Sequence, residues 1–312
     1  MREFGKRRAV VGYDGTQAAR RAVDWAADEA TRRHLSLEVV YVVDRGLVAD
    51  QPSSGAPWEP SHAVALAGAV TTEGVDRARA RHPQLSVDGT TLVGSPRTVL
   101  VDTARGAELL VVGSHGHDGI AGALGSVATS TVVHAPCPVV VVRGDYFVAP
   151  GPQHPVVVGV DDSEPAAAAL RHAADLAAGA GAPLRIVCAR RPLPLDGWVR
   201  AYWHAVNPSL DPVEVTDEAA RVVLGRARNA VHARRPGLAV QAVMAEGPPA
   251  GVILAHARDA ALVVVGARGR GNVTGLLLGS VSHGVVHGAQ CPVLVVHAGA
   301  EAPTETALAA TS

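Results

Sequence analysis

Short continuous apolar runs alternate along the chain with segments in which small apolar residues recur at helical spacing. The first run, RAVVGY at 8–13, is too short for a helix and reads as a strand buried on both faces. Ala19, Ala22, Val23, Ala26 and Ala30 follow at helical spacing and predict an amphipathic helix. LSLEVVYVV (35–43) is a second strand, and a polar, proline-rich loop at 46–60 precedes a helix near 61–81. LSVDGTTLV (85–93) is a third strand. Pro96 then opens a short helix, where its missing N–H costs nothing. AELLVVG (107–113) is the fourth strand, Ser126 starts another helix, and PVVVV (138–142) is the fifth strand.

The same order returns in the second half, with strands near 155–160, 183–189, 238–244, 260–265 and 292–296. AVVGYDGT (9–16) matches VVVGVDDS (156–163), ELLVVGSHG (108–116) matches ALVVVGARG (261–269), and APCPVVVV (135–142) matches AQCPVLVV (289–296). The chain is therefore a duplicated domain, not a solenoid of short repeats. It divides into residues 1–147 and 154–298, joined near GDYFVAPGPQHP (144–155). A small, polar tail at 299–312 lacks an apolar period and is expected to be disordered. Repeated strand–helix units predict an α/β fold of two doubly wound, five-stranded parallel sheets with ligands at the carboxyl ends of the strands.

Composition narrows the picture. Of the 312 residues, 48% are hydrophobic but only 3% aromatic, so the core must be built of Val, Ala and Leu. The formal charge of −1 gives no basic field to hold nucleic acid. Cys137, Cys188 and Cys291 have no metal or disulfide spacing, and a reducing cytoplasm is the expected compartment. Cys137 and Cys291, each before a strand-opening proline, read as small buried core residues. The N-terminal MREFGKRRAVVGYDG has too short an apolar stretch for a signal peptide. Gly119–Val142 lacks Asp, Glu, Lys and Arg, yet its Ser, Thr and Pro residues fit a turn, helix and strand better than a membrane span.

The candidate chemistry lies in GARGRGNVTGLLLGS (266–280), directly after a fourth strand. A glycine loop leading into a helix offers N–H groups and a positive dipole end, both suited to phosphate. The competing reading is a tight strand-to-helix turn with no ligand. Neither GxxxxGK[ST] nor GxGxxG is present, which excludes a P-loop and argues against a dinucleotide site. Asp14 and Asp161 each end a first strand, which neighbours the fourth across the switch point, so each should face its glycine loop. There a carboxylate can take a ribose hydroxyl or hold Mg²⁺ bridging phosphates, or it can cap the next helix with Thr16 or Ser163.

Together these residues resemble the universal stress protein family, whose nucleotide-binding members carry G-x2-G-x9-G-[ST] after the fourth strand. Gly266, Gly269, Gly279 and Ser280 fit that spacing in full. VGVDDS, VVVGARGRG, LLLGSVSHGVV and CPVLVV also read like the family, over residues 7–143 and 154–297. The resemblance implies an ATP-binding Rossmann-like domain of strand order 3-2-1-4-5, present twice as a pseudo-dimer whose fifth strands pair edge to edge. It places Asp14 and Asp161 at the ribose or metal, and Val42 and Ala189 at adenine through their backbones. Gly266, Gly269, Gly279, Ser280, Gly113, Gly116, Gly125 and Ser126 would take the phosphates, and Val281 and Val127 the ribose-phosphate by backbone. The first copy places eight residues, not nine, between Gly116 and Gly125. That predicts more reliable binding in the second half.

Other constellations carry two readings each. His283 and His287, four apart on a predicted helix, form a structural pair or two metal ligands; no third ligand is evident. His115 and His117, matched by Arg268 and Arg270, are solvated loop residues or phosphate contacts. Trp198, Tyr202 and Trp203 (opposite Trp58 in the first half) could cover a ligand or partner, or pack locally. No nucleophile elbow or kinase loop appears. The expectation is a cytoplasmic ATP-binding regulator with a protein partner, acting in stress or dormancy, and a homodimer is open. The alternatives are an ATP hydrolase or phosphotransferase, and a nucleotide-free interaction module. Neither nucleic acid nor membrane is expected as a partner.

Overall fold

The computed structural model describes residues 7–44, 60–116, 124–144, 147–190, 197, 201–202, 205–207, 212–269 and 278–298. They form two compact units, one within Met1–Phe147 plus Ala289–Ser312 and the other within Val148–Gly288. His117, Arg270, Trp58, Trp198, Trp203 and the expected tail at 299–312 lie outside the described residues.

Unit 1 runs β1 (Arg8–Gly12), α1 (Gln17–Arg32), β2 (Ser36–Asp44), α2 (Pro60–Arg81), β3 (Val87–Gly94), α3 (Pro96–Thr103), β4 (Leu109–Gly113), α4 (Ser126–His134) and β5 (Val139–Val142). The order β3-β2-β1-β4-β5 is parallel throughout. Valine dominates β1, β4 and β5 because those strands are covered on both faces: Val10, Val11, Val111, Val140 and Val141 have no exposed surface. Ala19, Ala22, Val23, Ala26 and Ala30 form the buried face of α1, as their spacing predicts. The uncharged stretch 119–142 includes a helix and a strand, and no described helix is long and apolar enough to cross a membrane.

Unit 2 repeats the frame with β6 (Val156–Gly159), α5 (Glu164–Gly179), β7 (Leu184–Arg190), α6 (Pro212–Arg234), β8 (Val240–Glu246), α7 (Pro249–Ala255), β9 (Leu262–Gly266) and α8 (Ser280–Gly288). Its strands run parallel in the order β8-β7-β6-β9, the 3-2-1-4 of the predicted order.

The second repeat's fifth strand, β10 (Val293–Val296), falls within unit 1. It pairs antiparallel with β5 through Val293–Val141, Leu294–Val140 and Val295–Val139. The two fifth strands thus meet edge to edge as expected, each covering a flat apolar edge that would otherwise invite another strand. Buried Arg143, just after β5, donates through Nε to the carbonyl of Ala289, 3.2 Å away.

Surface charges also follow the repeat. Asp28 on α1 holds Arg81 and His82, and Asp175 on α5 holds Arg234 and Arg235. Burial opposes ionisation of Asp28, but its bonds to Arg81 and His82 outweigh that and hold its carboxyl below the usual range. One charge breaks the symmetry: Glu29 is 1% exposed on α1 where the second repeat has Leu176. Burial pushes its carboxyl up, against the pull of Arg32 and Arg33.

Candidate functional site

The strands that carry the two aspartates and the two glycine loops are direct neighbours, β1 beside β4 and β6 beside β9. Asp161 therefore stands against the start of the loop after β9. A Cβ on Gly269 would lie 2.4 Å from Asp161 Oδ2, and one on Gly116 would lie 2.9 Å from Asp14 Oδ2. The second glycine of each motif is the place where the aspartate reaches the loop backbone, and no other residue leaves that room.

Each aspartate supports the helix cap at second hand, by holding the residue that caps it. Asp161 Oδ1 accepts from the backbone N–H of Ser163 (3.1 Å) and from its hydroxyl (2.6 Å). Ser163 Oγ in turn accepts from Ala166 N–H at 3.3 Å, so serine, not aspartate, caps α5. Asp14 holds Thr16 in the same way, and Thr16 caps α1. In each carboxylate Oδ1 holds the capping residue, while Oδ2 faces the loop glycine. The connecting residue needs a left-handed backbone: Gly15 has φ 80° and Asp162 has φ 66°.

The first and third glycines do different work. A Cβ on Gly266 would meet backbone atoms of Pro165 and Ala166 at 2.7–2.9 Å, and one on Gly113 would meet Ala18 at 2.8–3.0 Å. These glycines let the first turn of α5 or α1 lie directly on the strand end. Gly279 donates its N–H to Ala267 O at 2.8 Å, and Gly125 to Ser114 O at 2.7 Å. Those amides close the loops, so they are not the phosphate donors that the resemblance implies. The shorter first loop nevertheless closes on the same bond, so its missing residue does not displace the amide of Gly125. The first-turn amides of α4 and α8 have no partner within their own helices. They belong to Ser126, Val127 and Ala128, and to Ser280, Val281 and Ser282.

In unit 2 these parts surround a cavity of about 460 Å³. Asp161, Ala189, Gly266, Gly269, Gly279, Ser280 and Val281 all line it. Its size is that of a small-molecule site, for which roughly 300–1,000 Å³ is usual. One wall comes from α6, through Thr216, Ala219, Ala220 and Val223, and another from Pro249 and Ile253. Cys188, Arg190, Arg268 and Ser282 also line it. None of these except Arg268 stands out in the sequence, because alanine and valine on a long helix carry no chemical signature. Arg190 pairs with Asp217 at 2.8 Å and with Glu246, joining β7 to α6 and β8.

In unit 1, Asp14, Gly116, Gly113, Gly125, Ser126 and Val127 occupy the repeat positions at the ends of β1 and β4 and the start of α4, and Val42 lies near the end of β2. Val43 and Val93 replace Arg190 and Glu246, so the ion pair is a property of unit 2. The rings of His283 and His287 lie with centroids 4.2 Å apart, tilted by 32°. Among the described residues no three His, Cys, Asp or Glu gather as a metal cluster. A magnesium ion held by one carboxylate and a ligand's phosphates needs no such cluster, and the Asp161 carboxylate beside the loop amides fits that arrangement. Cys137 is buried, its thiol pushed up to about 12 by desolvation, whereas Cys291 is half-buried, against expectation.

Comparison with known proteins agrees with the repeat. The sequence model of the Universal stress protein family matches residues 6–143 and again 153–297. A universal stress protein of Mycobacterium tuberculosis is 35% identical over 299 residues, covering 92% of this chain and 95% of its own length. Another from the same species is 32% identical over 292 residues, covering 92% and 95%. The crystal structure of a universal stress protein from Archaeoglobus fulgidus superposes with a TM-score of 0.68 at 19% identity, over 95% of this chain and all of that one. The duplicated sequence, the paired glycine loops and these matches along nearly the whole chain establish that it belongs to the universal stress protein family.

Proposed function

We propose that the chain binds ATP in the unit 2 cavity and acts as a regulator whose state follows nucleotide occupancy. The observation that carries this reading is the convergence of Asp161, Ala189, Gly266, Gly269, Gly279, Ser280 and Val281 on one cavity. Adenine lies against the backbone of Ala189, and the ribose lies at Asp161. The phosphates meet the first-turn amides of α8, the Ser280 hydroxyl and Arg268. These donors suit an anion because they combine unpaired helix N–H groups, the positive end of the helix dipole and a permanent charge. Asp161 also offers a carboxylate to Mg²⁺, whose chemistry would be to neutralise and bridge phosphate oxygens. Asp14, Val42, Gly113, Gly116, Gly125, Ser126 and Val127 form a second, weaker site on the same plan. A cytoplasmic location and a protein partner that senses occupancy complete the reading.

The test is mass spectrometry of ligand released from the freshly purified, denatured full chain, with calorimetry of Mg-ATP binding. A ligand that binds only the folded state must raise its stability, by about 2.7 kcal/mol at a hundredfold excess over Kd. ATP should therefore raise Tm, and Ser280→Ala together with Arg268→Ala should reduce that rise. No bound nucleotide and no thermal shift with Mg-ATP would reject the proposal in favour of a ligand-free interaction module.

A further inference from the structure

We infer that Ser282 is a positioning residue that ties the end of β9 to the first turn of α8 before ligand arrives, presetting the phosphate end of the cavity. This deepens the nucleotide reading above and rests on it. Ser282 lies in the first turn of α8, is 2% exposed, and lines the cavity. Its hydroxyl lies 2.5 Å from Gly266 O and 3.2 Å from Ala267 O. A hydroxyl has one proton, and the shorter distance gives it to Gly266.

The direction of that bond matters. A serine inside a helix usually returns its hydroxyl to a carbonyl of the preceding turn. Ser282 instead reaches across to the end of β9, where the loop begins. The loop's other end is tied to the same place, because Gly279 N–H closes on Ala267 O at 2.8 Å. Strand end, loop exit and helix start are thus fixed by one main-chain and one side-chain bond. The amides of residues 280–282 then keep a set relation to Arg268 and Gly269. A phosphate arriving there meets donors already in place, and less ordering cost is charged to binding.

Unit 1 lacks this device. Ala128 stands where Ser282 stands, two residues after the Gly-Ser pair. The main-chain closure from Gly125 to Ser114 O is kept, but Ala128 has no hydroxyl to supplement it. The nearby Ser114 hydroxyl is 2.9 Å from His115 Nδ1. Ser282 opposite Ala128 thus gives the two halves a difference that does not depend on loop length.

The experiment is calorimetric titration of the full chain and its Ser282→Ala variant with Mg-ATP and, separately, with adenosine. A neutral hydrogen bond contributes about 0.5–1.5 kcal/mol, so the tightest ATP-binding event should weaken about 2–13-fold. Adenosine, which has no phosphate, should bind the variant within about twofold of the wild type. In the ligand-free variant the Gly279 amide should exchange its hydrogen faster than in the wild type. Unchanged ATP affinity, equal losses for ATP and adenosine, or an unaltered Gly279 amide would each overturn the role of Ser282. A wild-type chain that binds neither ligand would instead overturn the nucleotide reading itself.

Discussion

Gly266→Ala separates packing from ligand binding. The new Cβ would lie 2.7 Å from the carbonyl carbon of Pro165, 2.8 Å from its oxygen and 2.9 Å from Ala166 N. Unstrained carbon contacts begin near 3.5 Å, and backbone atoms of a helix first turn cannot rotate away as a side-chain tip can. The start of α5 must therefore shift off the sheet, taking the Ser163 cap and Asp161 with it. Overpacking of this kind costs about 2–3 kcal/mol. For a unit of this size that corresponds to a fall in Tm of about 4–12 °C. Gly225→Ala on α6 is the control, because its Cβ would meet nothing within 4 Å. It should raise Tm, since alanine is about 1 kcal/mol better than glycine inside a helix. Differential scanning calorimetry without nucleotide measures both. If Gly266→Ala melts with the wild type, the glycine is not there for packing, and the strand–helix argument fails.

Three further outcomes are expected. Asp162→Gly should raise Tm slightly, because residue 162 has φ 66° and its repeat partner is Gly15; the exposed pair to Arg226 that is lost contributes little. No rise in a thermal melt would show that Asp162 is not strained. Glu29→Leu should be close to neutral at pH 7, because it removes the cost of a buried carboxyl group but also the partner of the part-exposed Arg32. A loss of stability in urea unfolding would contradict it. Asp28 is held below its ordinary pKa, so its contribution is present above about pH 4 and is lost as pH falls further. Asp28→Asn should therefore lower stability at pH 7 and flatten its decline in acid; parallel Tm–pH curves would refute this.

Most of the fold was legible because its signals are redundant. Strands such as Val156–Gly159 and Val139–Val142 are covered on both faces and so appear as unbroken apolar runs, each written twice. Asp161 and the loop glycines were legible because their chemistry has few uses at a strand end. The division of labour among those glycines was not. A glycine that admits a helix backbone and one that admits a carboxylate look alike in sequence, and only the approaches to Pro165 and to Asp161 tell Gly266 and Gly269 apart. Ser282 was missed although setting SVATS beside SVSHG would have exposed it against Ala128. Thr216, Ala219 and Ala220 gave no signal, because a cavity wall on a helix differs from core packing only in what lies opposite.

The antiparallel pairing of β5 with β10 has a consequence for synthesis. The ribosome makes β5 about 150 residues before the strand that covers it. Throughout that interval unit 1 has its five parallel strands but an open valine edge. The same holds for any fragment cut at the joint between the repeats: it would carry the whole first repeat and still lack its cover. Duplication has thus not produced two self-sufficient halves. A strand from the second repeat is the one that closes the first domain.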